Sequence, residues 1–425
     1  MSDDPRRAVP RTDEVLASDV VRTAAAGLHP EVVRAGVRRA QDRARRGALA
    51  VGDVPTAAAA ELAPRAEEVA VLNATGVIVH TNLGRSALSR AARESVLAAG
   101  GYVALEHDLA TGRRAARGDA VRRLLLDRVG AAGDALVVNN GAAALLLATL
   151  ALPGEVVLAR GEMVEIGDGF RLHELLAGAG ATVREVGATN RVRVADYASA
   201  LGPRTGCVLK VHPSNFTLHG FTGAPSVREL AGLGVPLVVD LGSGLLAPST
   251  VLPDEPDASS ALQAGASLVT FSTDKLLGGP QGGVVLGDEA LVARARRHPV
   301  ARALRADKLS LAALAATLRQ RDLTPTAAAL AARPDDLLAR VRALQAAVGG
   351  EVVDSVAVVG GGGAPGVELA GWALALPAPV AERLRVGSPP VVARVQDGRC
   401  LVDPRCVAAD DTGRLVAALQ AALAG

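Results

Sequence analysis

Two hydrophobic rhythms divide the chain. In residues 31–46, EVVRAGVRRAQDRARR, apolar positions recur every three or four residues, so Val32, Val33, Val37, Ala40 and Ala44 can form one stripe of a helix. On this period, residues 1–66 read as a helical domain. Beyond about residue 70 the rhythm changes to short Val/Leu runs: ALVVNN (135–140), EVVLAR (155–160), ATVREV (181–186), CVLKVH (207–212), PLVVDLGSG (236–244), SLVTFS (267–272) and GGVVLG (282–287). Amphipathic stretches lie between them. Continuous apolar runs of this kind suit strands buried on both faces of a mainly parallel sheet, joined by helices. This predicts α/β architecture for a large domain over 67–300. Residues 305–347 look helical, and VVGGGGAPG (358–366) reads as a flexible, glycine-dense loop. Two short strand candidates, VVARVQDG and RCLVDP, and a last helix, TGRLVAALQAALA, complete a small α+β domain. The stretch 301–425 is thus a helical linker and C-terminal domain.

Composition fills in this outline. Hydrophobic residues make up 49% and aromatics only 2%, so the core is built of small aliphatic side chains. The net charge is +2, which gives no global field toward nucleic acid or membrane. The N-terminus has no apolar signal segment, and no apolar run reaches the roughly 18 residues of a membrane span. Cys207, Cys400 and Cys406 are odd in number and lack metal spacing, which fits a cytoplasmic setting. The histidines are scattered and no metal site is expected. Locally, Arg34, Arg38, Arg39, Arg43, Arg45 and Arg46 crowd the helical stretch 31–46, with Glu31 and Asp42 opposing them. They form either a solvated face or a grip on a phosphate backbone.

Lysine is scarce. Only Lys210, Lys275 and Lys308 stand among 46 Lys+Arg. A lysine retained in an arginine-rich chain suits a task that needs a deprotonatable amine, such as imine formation. Lys275 lies in FSTDKLLGGPQGG (271–283), after an apolar strand and before a glycine turn. Two further segments join it. In VVNNGAAALLL (137–147) a strand, a small-residue turn and a helix would expose backbone N–H groups at the helix start to a phosphate, with Gly141 and Ala142 leaving room for close approach. In VVDLGSG (238–244) Asp240 ends a buried strand, where a carboxylate needs a charged or hydrogen-bonded partner, such as a protonated pyridine nitrogen. Ser272 could donate to the same phosphate. Phosphate turn, strand-end aspartate, then strand-end lysine 35 residues later is the order of a fold-type-I pyridoxal 5'-phosphate (PLP) enzyme.

LNATGVIVHTNLGR (72–85), RGEMVEIGDGFRLHELLAGAGATVREVGATNR (160–191), KVHPSNFTLHGFTG (210–223), DLGSGLL (240–246), the lysine segment and HPVARALRADKLSLAALAATL (298–318) resemble the bacterial selenocysteine synthase family. These are the L-seryl-tRNA(Sec) selenium transferases. The likeness runs from about residue 10 to the C-terminus. It implies a seven-stranded, mainly parallel sheet in the large domain. It also implies a PLP-dependent β-elimination of water from seryl-tRNA(Sec), through an aminoacrylyl-tRNA intermediate, and then addition of selenium from selenophosphate. Lys275 matches the cofactor lysine and Asp240 the pyridine partner. Asn140, Gly141, Ala142 and Ser272 fall where the cofactor phosphate sits, and His80 and His212 lie in motifs that can approach the cofactor. Arg85, Arg302 and Arg305 match a selenophosphate pocket, and Asp274 could handle protons or orient an arginine. The resemblance also implies tRNA binding by the N-terminal helices and a homo-oligomer, a ring built from dimers such as a decamer.

Three positions depart from the family pattern. Gly141 stands where a third asparagine is usual, Thr273 replaces a glycine and would narrow the site, and Asp168 replaces a small residue. The alternative reading is a PLP-dependent lyase or ammonia-lyase acting on a free amino acid or amino sugar acid. A silent RNA-binding protein is the third, and the intact Lys275, Asp240 and arginine set argues against it.

Overall fold

The computed structural model describes residues 8–62, 69–167 and 169–424, so Asp168 lies outside the described residues. Contacts divide the chain into two compact units, Met1–Ala70 and Val71–Gly425. The division falls a few residues beyond the sequence boundary at 66, which itself lies outside the described residues.

The first unit is a small helical cluster: Thr12–Ala17, Asp19–Ala24, Pro30–Arg45 and Val54–Leu62. The longest helix begins with Pro30 in its first turn, and the His29 side chain accepts from the Glu31 N–H. Val33, Val37, Ala40 and Ala44 form its buried stripe, closed by Val15, Val21, Val54 and Ala58. Val32, expected in that stripe, is 50% exposed. It lies in the first turn of the helix, four residues before Gly36, the position that Leu62 covers.

The second unit has two sheets. The larger has seven strands in the order Asp134–Val138, Gly283–Gly287, Leu268–Ser272, Leu237–Gly242, Thr205–Val211, Glu155–Ala159 and Thr182–Val186. All neighbours are parallel except Gly283–Gly287, which runs antiparallel to both of its partners. Apolar side chains cover both faces, with Val157, Val239 and Phe271 on one and Leu158, Leu209 and Val238 on the other. This explains why the strands read as unbroken Val/Leu runs.

The smaller sheet has six strands in the order Leu72–Ala74, Val391–Gln396, Arg399–Val402, Glu368–Pro377, Glu351–Gly360 and Val77–Val79. Two features differ from the sequence reading. Strands Leu72–Ala74 and Val77–Val79, placed by sequence in the large domain, form the two edges of this sheet. The glycine stretch at 358–366 ends one strand and forms most of the connection, 361–367, of a long hairpin whose strands each run ten residues. Glycine density hid the flanking strands. Helices Pro334–Val348 and Thr412–Ala424 cover one face through Val341, Leu344, Leu415 and Leu419.

Candidate active site

Asp240 and Thr270 stand opposite each other on adjacent parallel strands. Thr270 Oγ1 donates to Asp240 Oδ1 at 2.7 Å. Ser272 ends the Thr270 strand, and Lys275 follows in the turn. The groups therefore collect at the carboxyl ends of parallel strands, the crevice in which open α/β sheets bind ligands. Burial pushes the Asp240 carboxyl above its ordinary range, against the Thr270 hydroxyl and the nearby Lys275 ammonium. A carboxylate so placed gains most from a cation brought to it. Burial pushes the Lys275 ammonium below its ordinary range; Asp240 opposes this and Arg85 adds to it. Such an amine is more readily neutral and nucleophilic.

The lysine turn is tied from three sides. Its carbonyl accepts from Gly278 N–H at 3.0 Å and from Ser86 Oγ at 2.5 Å. Leu276 N–H donates to Ser243 O at 2.9 Å. Arg85 Nη1 pairs with Asp274 Oδ2 at 2.8 Å, which brings the HTNLGR loop over the lysine segment. Arg85 itself has φ +65°, a left-handed conformation uncommon outside glycine, and its N–H is fixed to His80 O at 2.9 Å. His80 Nδ1 is buried without a partner among the described residues.

Asn140 caps helix Gly141–Leu150, its Oδ1 accepting from Ala143 N–H at 2.8 Å. The N–H groups of Gly141 and Ala142 belong to the first turn, where no helical acceptor reaches them. Ser272 lies against this turn so closely that a Cβ on Gly141 would collide with its hydroxyl. Gly141, unusual for the resemblance, is thus matched to Ser272. Thr273, expected to narrow the site, does not line it. Its side chain is buried and donates to Pro280 O at 2.5 Å, turned into the glycine turn that follows.

His212 N–H donates to Asp240 O at 2.9 Å, and its ring Nε2 lies 3.3 Å from Glu255 Oε2. Sequence reading missed Thr270, Ser86 and Glu255. The only trace of Thr270 was a hydroxyl inside the apolar run SLVTFS, and Glu255 was lost in the polar turn PDEPD.

The three arginines do not share one cavity of this chain. Arg85 opens onto a cavity of about 730 Å³. Arg302 and Arg305 line another, of about 840 Å³, with Arg117, Arg122, Arg296 and Arg297. Both are exposed, and neither has an ion-pair partner among the described residues. Their segment runs beside the phosphate-type turn, since Arg305 bridges to Val138 and Asn139 N–H donates to Leu304 O at 2.9 Å. Among the described residues no cluster of His, Cys, Asp or Glu could hold a metal, and no helix is long and apolar enough to cross a membrane.

Residues 71–408 match the family model of L-seryl-tRNA selenium transferase, and residues 6–45 match that of the selenocysteine synthase N terminus. The chain belongs to the L-seryl-tRNA selenium transferase family. It is 44% identical to the L-seryl-tRNA(Sec) selenium transferase of Moorella thermoacetica, over 84% of this chain and 82% of that one. It is 41% identical to the namesake from Geobacter sulfurreducens, over 97% and 98%. Among solved structures it resembles a D-glucosaminate-6-phosphate ammonia-lyase, with a TM-score of 0.59, 20% identity, and coverage of 85% of this chain and 98% of that one. The last likeness concerns the fold alone, which is the fold-type-I α/β architecture. The matches in this selenium transferase family span both compact units, including the N-terminal helices.

Proposed function

We propose that the chain converts L-seryl-tRNA(Sec) to L-selenocysteinyl-tRNA(Sec) with selenophosphate as selenium donor. The observation that carries this is the buried Lys275 amine beside Asp240, in a chain that shares 41% identity over nearly its whole length with a transferase of that name. The residues present suit PLP. The helix start at Gly141 and Ala142, together with Ser272 Oγ, offers donors to its phosphate, Asp240 offers a carboxylate to its ring nitrogen, and Lys275 an amine to its aldehyde. When bound, PLP supplies an electron sink for charge at the substrate α-carbon.

The chain's own groups do the rest. The Lys275 amine, held toward neutrality by burial, is placed to take the α-proton at Nζ. Thr270 Oγ1 holds the Asp240 carboxylate and the His212 N–H holds its main-chain carbonyl, so that the charge stays at the strand end. Asp274 holds Arg85 beside the lysine, a fork-shaped cation suited to a small phosphate-bearing anion. Arg302 and Arg305 are proposed to complete that anion site. Their separation from Arg85 in one chain is what a site finished by a second copy in a dimer-based ring would give.

The test is to incubate the purified protein, loaded with PLP, with tRNA(Sec) charged with labelled serine, with and without selenophosphate. After deacylation, label in selenocysteine that depends on selenophosphate and is absent for Lys275→Ala is the expected result. Serine recovered unchanged from protein carrying the cofactor would overturn the proposal.

A further inference from the structure

Lys275 is roofed by chain from the other sheet. The connection 361–367 of the long hairpin lies directly on it. Gly362 has φ +90°, and a Cβ there would stand 2.5 Å from Lys275 Nζ and 2.6 Å from Cε. Only a bare glycine backbone can approach the amine this closely. Two residues on, Ala364 is buried and holds φ +44°, a conformation that a non-glycine residue keeps only where its surroundings impose it.

Two contacts impose it. The methyl of Ala364 joins an apolar cluster with Leu252, Val359 and Leu276, the residue next to the lysine. Its N–H donates to Glu255 Oε2 at 2.7 Å. Among the described residues no other side chain bonds the backbone of 361–367. The same oxygen meets His212 Nε2 at 3.3 Å, and the carboxylate is 1% exposed. Burial pushes the Glu255 carboxyl up, but His212, the Ser243 hydroxyl and, least of the three, the Ala364 amide outweigh it, and the group rests below its ordinary range. A buried anion held by a main-chain donor and a ring donor from two different elements is a fastening between them.

We propose that Glu255 is a positioning residue, a latch that seats the glycine roof on Lys275 and keeps water from the amine. This rests on the role proposed for Lys275. Without the latch, the roof lifts and water reaches Nζ. The burial that disfavours the ammonium is then lost, and less of the lysine is in its reactive form.

The first test is hydrogen exchange followed by mass spectrometry, on protein without added cofactor. In Glu255→Ala, peptides covering 359–367 should exchange at least about tenfold faster, while those covering 205–211 and 237–242 stay as in the parent. Glu255→Gln can present an oxygen to the same amide and should keep slow exchange. In the loaded enzyme with seryl-tRNA, Glu255→Ala should lower kcat about tenfold with KM little changed, and Glu255→Gln should recover much of it. If the alanine variant fails to fold, Glu255→Asp, one methylene short of the amide, serves in its place. Unchanged exchange in 359–367, or a glutamine variant as fast as the alanine one, overturns the latch. A parent protein that leaves seryl-tRNA untouched would count against the substrate reading instead, and the exchange result would still decide the latch.

Discussion

Around Lys275 charge is sparse, buried and bonded, whereas along helix Pro30–Arg45 it is abundant and exposed. At the lysine, Asp240, Asp274 and Glu255 each have an assigned partner: Thr270, Arg85, and His212 with the Ala364 amide. On the helix, Arg34 pairs with Glu31 at 2.7 Å, Arg45 with Asp42 at 2.7 Å and Arg39 with Glu61 at 2.9 Å, all with arginine side chains near half exposure or above. Exposed pairs of this kind contribute about 0–1 kcal/mol and exchange partners freely. Single changes in the first region should therefore be decisive, and those in the second graded and salt-dependent.

The sharpest break should come from Asp240→Asn. The amide keeps the Thr270 hydrogen bond but cannot neutralise a cation at the ring nitrogen. Turnover of seryl-tRNA should fall by about 100-fold or more, a size typical of losing a proton-controlling group, with near-native thermal unfolding as the control. Gly141→Asn comes next. Its Cβ must displace the Ser272 hydroxyl, and overpacking of this sort costs about 1–3 kcal/mol. The loss should appear as weaker cofactor binding in a spectral titration. Adding Ser272→Gly should return part of it, since the collision is with that side chain.

Smaller and opposite in sign is Lys275→Met. The lysine is held below its ordinary value of about 10.4. Between the lowered value and the ordinary one the unfolded chain binds more protons than the folded chain, so stability rises with pH there. Below the lowered value the full penalty of burying an ammonium remains. Methionine removes it. Urea unfolding of cofactor-free protein should show the variant more stable by about 1 kcal/mol near neutral pH, the gain shrinking toward pH ~10. A variant no more stable than its parent would mean that Asp240 offsets the burial of Lys275 in full.

The contrast also explains what was legible in the sequence. The strands showed as Val/Leu runs because both faces of the sheet are covered. Lys275 and Asp240 stood out because a charge at the end of such a run is rare and must be explained. The partners that hold them did not. Thr270 looks like an ordinary β-branched strand residue, and Glu255 becomes special only when strand order brings a turn 20 residues before the lysine against a loop 109 residues beyond Glu255. The edge strands at 72–74 and 77–79 are three residues each, too short for any period, and pair with segments some 300 residues away. On helix Pro30–Arg45, sequence spacing identified the acids Glu31 and Asp42 but not Glu61, which the helix Val54–Leu62 supplies.

Glu61 gives the finest test of the second region. It lies 2.9 Å from Arg39 and 3.7 Å from Arg43, so one carboxylate occupies two of the six arginines. Arg46 has no ion-pair partner among the described residues, and Arg38 only a distant one at 3.8 Å. If this face grips a phosphate backbone, Arg38→Gln and Arg46→Gln should each weaken tRNA binding a few-fold and lower the slope of log K against log salt by about 1. Arg39→Gln should do less, because its charge is already engaged. Glu61→Gln should do the reverse: freeing Arg39 and Arg43 should tighten tRNA binding and steepen the salt slope, measured by filter binding across a salt series. A Glu61→Gln variant with unchanged affinity and slope would make the helix a solvated face and leave tRNA recognition to other surfaces.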